Sequence, residues 1–198
     1  MAMLHMSNDS HLFKDEPAAD RLPLYEGKMV QAYDHRAASV EINLENRVRP
    51  GQPRETTLLE HQDVSYGVTP QYWVSKTVVD EALKEQWSHQ WMIAFKSVTS
   101  PSNERTFISS VVPYSALSNS LIGLFSNQPS GLLAAFYANQ NCLVFDYVAK
   151  NKVGGVNLNF FLVKQLPVLS PNRYIDADLA FIIPRVLELT YTAWDLQP

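Results

Sequence analysis

The stretch "QWMIAFKSVTSPSNERTFISSVVP" (residues 90–113) decides the fold of this chain. Its two ends, QWMIAFKSV and RTFISSVVP, are apolar and rich in aromatic and β-branched residues, as in paired strands. TSPSNE between them has the composition of a turn, and Pro113 ends the second strand because proline has no N–H to donate to a sheet. The sequence therefore predicts a strand pair in the middle of the chain, joined by a polar turn.

Further strands and loops are predicted on either side of this pair. In "ASVEINL", Val40, Ile42 and Leu44 alternate with polar residues, as in a half-buried strand. A short strand is expected at 72–74. "VNLNFFLVKQLPVL" is predicted to be strand and extended structure, whereas "RPGQPRETT" (49–57), with two prolines and a glycine, is predicted to be a loop.

Helices are predicted mainly towards the C-terminal end. Ser75 is placed to cap a helix that runs to about Gln86, and Pro129 suits the first turn of a helical stretch with Leu132, Leu133, Phe136 and Val144 on its apolar faces. "ANQNC" is expected to divide that stretch into two helices, with Gly154–Gly155 at its end. A closing helix spans "DADLAFIIPRVLELTYTAWDL", where Pro184 is expected to kink or interrupt it.

These elements predict an α+β fold with central twisted, mixed or antiparallel strands and helices concentrated in the C-terminal half. Residues 1–21 are polar and are predicted to be a flexible arm or an added leader, and residues 22–198 are predicted to be one domain. Cys142 is the single cysteine, so no intrachain disulfide forms, and its apolar neighbours predict a buried side chain. Because no stretch approaches the ~20 apolar residues of a membrane span, we expect a cytoplasmic protein.

The charge is unevenly distributed along the chain. Residues 1–87 have 14 acids and 9 bases (−5), and residues 172–198 have 4 acids and 2 bases (−2). Residues 88–171 have only 2 acids against 5 bases, a balance of +3 within a net charge of −4. This excess is too small to bind a phosphate backbone strongly by itself, so help from another basic surface would be needed.

The common catalytic and metal-binding motifs are missing from the sequence. The five histidines are scattered, and no glycine-rich phosphate loop or GxSxG elbow occurs. One weak alternative is a magnesium-dependent nuclease, because Glu26-x-Lys28 with Asp15 or Asp20 upstream is a pattern that holds Mg²⁺ in such enzymes. The simpler interpretation is that Glu26 and Lys28 flank a solvated turn. We therefore predict no catalytic residue and no metal ligand.

Five short polar clusters suit recognition better than catalysis: YDHR (33–36), NER (103–105), AKNK (149–152), NLN (157–159) and KQ (164–165). Arginine pairs bidentately with guanine or phosphate, asparagine and glutamine pair with adenine, and lysine neutralises phosphates. Taken singly, each cluster is better explained as a structural ion pair or a solvated turn, as for Asp34 with Arg36 or Glu104 with Arg105. Five such clusters in one small domain weaken that interpretation, but their spacing alone does not overturn it.

Together these clusters resemble a known family. The segments PLYEGKMVQAYDHR, PQYWVSKTVVDEAL, WMIAFKSVTSPSNERTFISSVVP and LVFDYVAKNKVGGVNLNFFLVKQLPVL, in this order, resemble the C-terminal region of large type IIG-like adenine-specific DNA methyltransferases of restriction–modification and phage-defence systems. That region is similar to a target recognition domain of the TaqI-like specificity class. The resemblance covers about residues 22–195 and is most specific in "NERT" and "DYVAKNKVGGVNLNFFLVKQLP".

The family's catalytic motifs are not in this chain. Methyl transfer needs an Asn-Pro-Pro-aromatic loop and a glycine-rich S-adenosylmethionine pocket, and neither occurs here. The resemblance therefore implies a double-stranded DNA recognition domain without a cofactor of its own. S-adenosylmethionine is expected only in a missing methyltransferase domain, in the same parent protein or a partner subunit.

The resemblance and the polar clusters together define candidate DNA-binding residues. They are Lys28, Tyr33, His35, Arg36, Lys96, Asn103, Arg105, Thr106, Lys150, Lys152, Asn157, Asn159, Lys164 and Gln165. The resemblance implies that Asn103 and Arg105 face DNA while Thr106 starts the strand that fixes them. Alternatively, NERT is a structural clasp in which Arg105 bonds turn carbonyls. A protein–protein docking module of a restriction–modification complex is the alternative function.

Overall fold

The computed structural model describes residues 2–42 and 51–197. Eight strands occur in this part of the chain: β1 (Arg21–Tyr25), β2 (Ala38–Glu41), β3 (Gln52–Glu55), β4 (Trp73–Ser75), β5 (Trp91–Lys96), β6 (Ser109–Pro113), β7 (Ala116–Leu117) and β8 (Leu121–Leu124). The α-helices described are α1 (Leu58–Gln62), α2 (Lys76–Leu83), α3 (Ser130–Gln140), α4 (Leu143–Lys152), α5 (Phe160–Val163) and α6 (Asp176–Thr190). The predicted α+β class is confirmed.

The predicted strand pair forms the centre of the largest hydrogen-bonded ladder. β5 lies between β6 and β8 and is antiparallel to both, with Ile93 opposite Val111 of β6 and Leu124 of β8. Its four inner residues are buried, as expected for a central strand covered on both faces. Pro113 ends β6, as the sequence predicts, and the turn between the two strands extends as far as Ile108.

A second sheet has the order β4-β1-β7 and receives the N-terminal residues at both edges. Leu4 is buried, and its N–H donates to the Leu117 carbonyl of β7 at 3.1 Å. Lys14 exchanges two backbone hydrogen bonds with Trp73 of β4, at 2.9 and 2.8 Å. Residues 4–14 therefore cover sheet edges rather than forming the flexible arm predicted for 1–21, because unpaired edge groups are satisfied by added chain.

The third ladder, β2 with β3, corrects two expectations. Residues 52–55 form a strand, although 49–57 was predicted to be a loop, and Pro53 is tolerated because β3 is an edge strand. Val40 is buried as predicted, but Ile42 lies beyond the end of β2 and is exposed. Leu44 and the start of the predicted loop lie outside the described residues.

The helical stretch after Pro129 is divided as predicted. α3 ends at Gln140, and α4 begins after Cys142, whose Sγ accepts a hydrogen bond from the Phe145 N–H at 3.4 Å. Cys142 is therefore a helix cap of intermediate exposure and not a buried hydrophobe. Val144, predicted on an apolar face, is exposed, and the neighbouring Phe145 is buried in its place.

The region after α4 differs from the prediction. "VNLNFFLV" was predicted to be extended, but Phe160–Val163 form the short helix α5. The Asn159 Oδ1 accepts a hydrogen bond from the Leu162 N–H at 3.1 Å and so caps the first turn. The error arises because a four-residue helix is too short to show a 3.6-residue period that could outweigh the alternation of its flanks.

The closing helix runs without interruption through Pro184. α6 spans Asp176–Thr190, and both Pro184 and Ala180, whose carbonyl loses its usual partner, are exposed. Water can solvate that carbonyl, so the proline does not end the helix. Among the described residues, no helix is long and apolar enough to cross a bilayer.

Two hydrophobic clusters lie beneath these elements. The larger one joins β1, β4, β5 and β7 to α2 and α3, with Val186 of α6 at its margin. The smaller one is built on an aromatic series in which Phe95 stacks on Phe107 at 5.5 Å and Phe107 meets Phe145 edge-on at 4.8 Å. Leu158 and Leu166 complete this smaller core, which supports α4 and α5 from below.

Candidate nucleic-acid interface

The segment after β5 is tied to the segment before α5. The Leu158 N–H donates to the Ser97 carbonyl at 2.7 Å, and the Thr99 N–H donates to the Val156 carbonyl at 3.0 Å. Val98 and Asn157 form an antiparallel bridge between these bonds. As a result, the residues that lead into the NER turn are joined to the NLN segment, although the two are far apart in sequence.

Asp146 fixes the other end of the NER turn. Its Oδ1 accepts hydrogen bonds from the Thr106 N–H at 2.9 Å and the Phe107 N–H at 2.6 Å. The carboxylate is buried, and its α4 location ties the turn to that helix. Two amides that would otherwise lack acceptors are satisfied by one charged group, a strong type of hydrogen bond.

Thr106 itself is not exposed to a ligand. It is fully buried, its hydroxyl donates to the Ser100 carbonyl at 3.3 Å, and its own carbonyl accepts from the Thr99 hydroxyl at 2.6 Å. The residue was predicted among the DNA-binding candidates as the start of a strand. Burial instead gives it the role of closing the turn.

The contacts of Arg105 agree with the alternative in which NERT is a structural clasp. Its Nη2 donates to the Asn141 carbonyl at 3.0 Å, at the junction of α3 and α4, and its Nη1 is buried without a partner among the described residues. Burial raises the pKa of the Tyr33 phenol, and the positive charge of the Arg105 guanidinium opposes part of this rise. Arg105 therefore anchors the turn, and Asn103 and Glu104 are left as its exposed members.

Two hydrogen bonds, each from a lysine of α4, join exposed candidates in pairs and place them in a patch beside that helix. The Lys150 Nζ donates to the Asn103 carbonyl at 3.3 Å, and the Lys152 Nζ donates to the Gln165 Oε1 at 3.4 Å. Lys164 precedes Gln165 directly, and this pair follows α5, whose first turn Asn159 caps. We call this patch the basic surface; it consists of Asn103, Lys150, Lys152, Asn157, Asn159, Lys164 and Gln165, all exposed.

The charge of this patch is positive because its three lysines outnumber the exposed acid beside it. Three lysines project from α4 and the end of α5. Asp146 lies beneath them with its Oδ1 bonded to backbone amides, and Glu104 is the exposed acid of the adjoining turn. The patch therefore has an excess of positive charge on a chain whose net charge is −4.

Sequence reasoning missed two exposed aromatic side chains beside these lysines. Tyr147 of α4 is 69% exposed, and Phe161 of α5 is 74% exposed. The Asn151 amide donates to the Tyr147 carbonyl, and the Gln165 amide donates to the Phe161 carbonyl, so both belong to the same helical turns as the basic surface. The helical spacing of Tyr147 and Lys150 could have indicated Tyr147, but Phe161 was hidden by the wrong strand prediction.

The remaining candidates lie elsewhere, and two are inside the protein. Arg36 is fully buried and donates to four carbonyls, those of Asp63, Tyr66, His61 and Thr192, at 2.8 to 3.1 Å. His35 is also fully buried, with Nε2 2.9 Å from a carboxylate oxygen of Asp195. Neither can contact DNA, because their polar groups connect distant parts of the chain.

Lys28, Tyr33 and Lys96 are partly buried. The Lys28 Nζ donates to the Gly51 carbonyl at 2.7 Å and pairs with Glu26 at 3.0 Å. Tyr33 has a positive φ of 65° and meets Tyr137 edge-on. Burial lowers the pKa of Lys96. No contact joins these three to the basic surface among the described residues.

The magnesium alternative finds no support in the described residues. They contain no group of three or more histidine, cysteine or acidic side chains that could hold a metal ion. One Glu26 oxygen forms an ion pair with the Lys28 ammonium. A bound Mg²⁺ would need oxygen ligands, rather than a second cation, beside this carboxylate. Glu26 and Lys28 form a local ion pair beside a turn.

No family model, curated protein or solved structure matches this chain. The resemblance to the methyltransferase recognition domains thus stays a prediction from the sequence.

Proposed function

We propose that this chain is a sequence-specific double-stranded DNA recognition domain that presents a duplex to an N6-adenine methyltransferase domain absent from the chain. The single observation that supports this most is the basic surface, where three lysines, three asparagines and a glutamine from three separate segments lie together. Lysines neutralise phosphates, and carboxamides pair with base edges. The parent protein would then be a methylase of restriction–modification or phage defence.

The geometry supports a division of labour within the patch. Lys150, Lys152 and Lys164 are flexible point charges suited to setting the register of the duplex. Asn157 is held by the Val98 bridge, and Asn103 sits in a turn anchored by Asp146 and Arg105. Side chains on rigidly held backbone discriminate between bases better than loosely held ones.

Charge reversal tests this proposal. The variant Lys150→Glu, Lys152→Glu, Lys164→Glu should strongly weaken binding to a duplex that contains the site, measured by fluorescence anisotropy at several salt concentrations. Losing three phosphate contacts should flatten the plot of log affinity against log salt by about 2.7. The specific duplex would come from selection of a random library by the intact chain.

The matched control makes the same change in charge at other exposed positions. The variant Lys14→Glu, Lys84→Glu, Arg173→Glu alters three basic residues that lie outside the basic surface. This variant should keep the wild-type slope of log affinity against log salt and should lose only a small part of the affinity. Equal losses in the two variants would show only a net-charge effect and would contradict a localised interface, as would unchanged binding in the first variant.

A docking module is the second candidate, favoured by exposed apolar residues of α6. Phe181 and Leu189 of this helix are 59% and 52% exposed, and Trp194 just beyond it is 56% exposed. Large apolar side chains clustered at the surface commonly mark protein–protein contacts. If docking is the whole function, reversal of the three lysines leaves partner binding intact and the chain does not bind DNA at any salt concentration.

A further inference from the structure

A cavity of about 380 Å³ lies between the sheet β6-β5-β8, α3 and α6. Trp91 and Ile93, on the same face of β5, form its floor together with Val111 of β6. α3 contributes Leu133 and Ala134 to one wall. Its volume falls in the ~300–1,000 Å³ range of small-molecule sites, at the small end.

The chemistry of the walls restricts what the cavity can hold. None of the described residues that line it is charged, and nearly all of its surface is apolar. A charged ligand would lose its hydration there without a counter-ion. Tyr137, a lining residue with a polar atom, already donates its hydroxyl to the Ser109 carbonyl at 3.4 Å.

Unlike Tyr137, Thr190 at the end of α6 has a buried hydroxyl that is not hydrogen-bonded within the described part of the chain. It lines the cavity and is 8% exposed, and its hydroxyl has no hydrogen-bond partner among the described residues. A helical threonine commonly returns its hydroxyl to the carbonyl three or four residues earlier, so an unpaired one is unusual. An unpaired buried hydroxyl is unfavourable, and a group that bonds it would bind favourably.

We infer that this cavity binds a neutral, mainly apolar small molecule that carries one hydrogen-bonding group, such as an alcohol or a carbonyl, bonded to Thr190. The apolar part lies against Trp91, Ile93 and Val111. An ordered water could also satisfy the hydroxyl, but the apolar walls offer water few other protein partners, so an apolar ligand would displace it favourably. This site is separate from the basic surface and does not depend on the proposed DNA-binding function.

The test uses 1-octanol as the probe and the full chain as the protein. Titration calorimetry should show saturable binding at one site. Nuclear Overhauser effects should connect the octanol chain to methyl groups of Ile93, Val111 and Val186. Absence of saturable binding, or contacts that map to another region, would overturn the inference with no variant needed.

Two variants with a matched control test the location and the hydrogen bond. Ala134→Leu fills the cavity and should weaken octanol binding more than tenfold, whereas Ala180→Leu, the same change on the exposed side of α6, should leave it unaltered. Thr190→Val retains the shape and should weaken binding about tenfold by removing the hydroxyl. Wild-type affinity in Ala134→Leu would contradict the site, and wild-type affinity in Thr190→Val would contradict the role of Thr190.

Discussion

At the scale of single residues, the candidate recognition residues are of two kinds, those buried inside the protein and those exposed at its surface. Arg36 and His35 are fully buried, whereas Lys150 and Lys152 are exposed. The same residue types serve either purpose, because a guanidinium can satisfy four carbonyls as well as it can pair with a base. Burial, and not residue type, separates the structural members from the candidate contacts.

Asp146 is the residue on which the proposed interface most depends. Asp146→Ala should lower the free energy of unfolding by about 2 kcal/mol, because Thr106 and Phe107 lose a charged acceptor for their amides. Asp146→Asn should lose less, since an amide oxygen can still accept both bonds. Urea unfolding monitored by circular dichroism measures both changes.

DNA binding separates this role from a merely structural one. In Asp146→Ala the anchored turn is released, so the affinity for the specific duplex should fall while binding to non-specific duplex changes little. Equal stability of the alanine and asparagine variants, each matching the wild type, would contradict the anchoring role.

At the scale of elements, local patterns predicted regular structure where they were long enough. The β5–β6 pair, the helix α2 and the break between α3 and α4 follow from periodicity and from residues that start or stop elements. The detail differs at α2, where the Ser75 side chain makes no cap hydrogen bond and the helix ends at Leu83 rather than near Gln86. α5 and β3 were not predicted, because each has only four residues. α5 depends on its cap, and β3 depends on its partner strand. In these two elements the four residues carry too little pattern of their own to be predicted.

The helix α1 provides a test at this scale. Glu60 accepts the Thr57 N–H at 2.8 Å, and its two oxygens accept the Arg54 guanidinium at 3.0 and 2.9 Å. The hydrogen bonds from Arg54, with that from Thr57, lower the pKa of Glu60 from 4.5 to about 2. A lowered carboxyl pKa stabilises the fold above pH 4.5, and this stabilisation is lost as the pH falls towards 2.

Glu60→Gln should remove this part of the pH dependence. Urea unfolding of the wild type and the variant at a series of pH values should give curves that differ most above pH 4.5 and converge towards pH 2. Glu81→Gln, on the exposed side of α2, serves as the control and should match the wild type. A difference between the wild type and Glu60→Gln that is independent of pH would contradict the assignment.

At the scale of the whole molecule, the C-terminal residues close the structure onto its first third. Arg36 donates to the Thr192 carbonyl at 3.0 Å, and the Trp194 N–H donates to the Val64 carbonyl at 2.9 Å. His35 and Asp195 add a pair between side chains, with His35 fully buried. These contacts join segments separated by more than a hundred residues and so couple residues 192–195 to the first third of the chain.

Removing one of these contacts should lower global stability. Asp195→Ala leaves the buried His35 without its acceptor and should reduce the free energy of unfolding by about 2 kcal/mol, or Tm by about 4–8 °C. Differential scanning calorimetry measures this shift. Asp176→Ala, at an exposed position of α6, should cause a smaller one, and equal shifts for the two variants would count against the coupling.

The sequence alone determined the fold class, the central strand pair and the main helices, because alternation, caps and prolines act over a few neighbouring residues. Only the tertiary structure decided which polar clusters face solvent. Arg36 is buried among acceptors that lie 25 to 156 residues away, and the basic surface forms because residues 97–99 are bonded to 156–158 and Thr106 is bonded to Asp146 of α4. Local pattern contains no information about such distant partners, and hydrogen-bonding groups are buried only where partners meet.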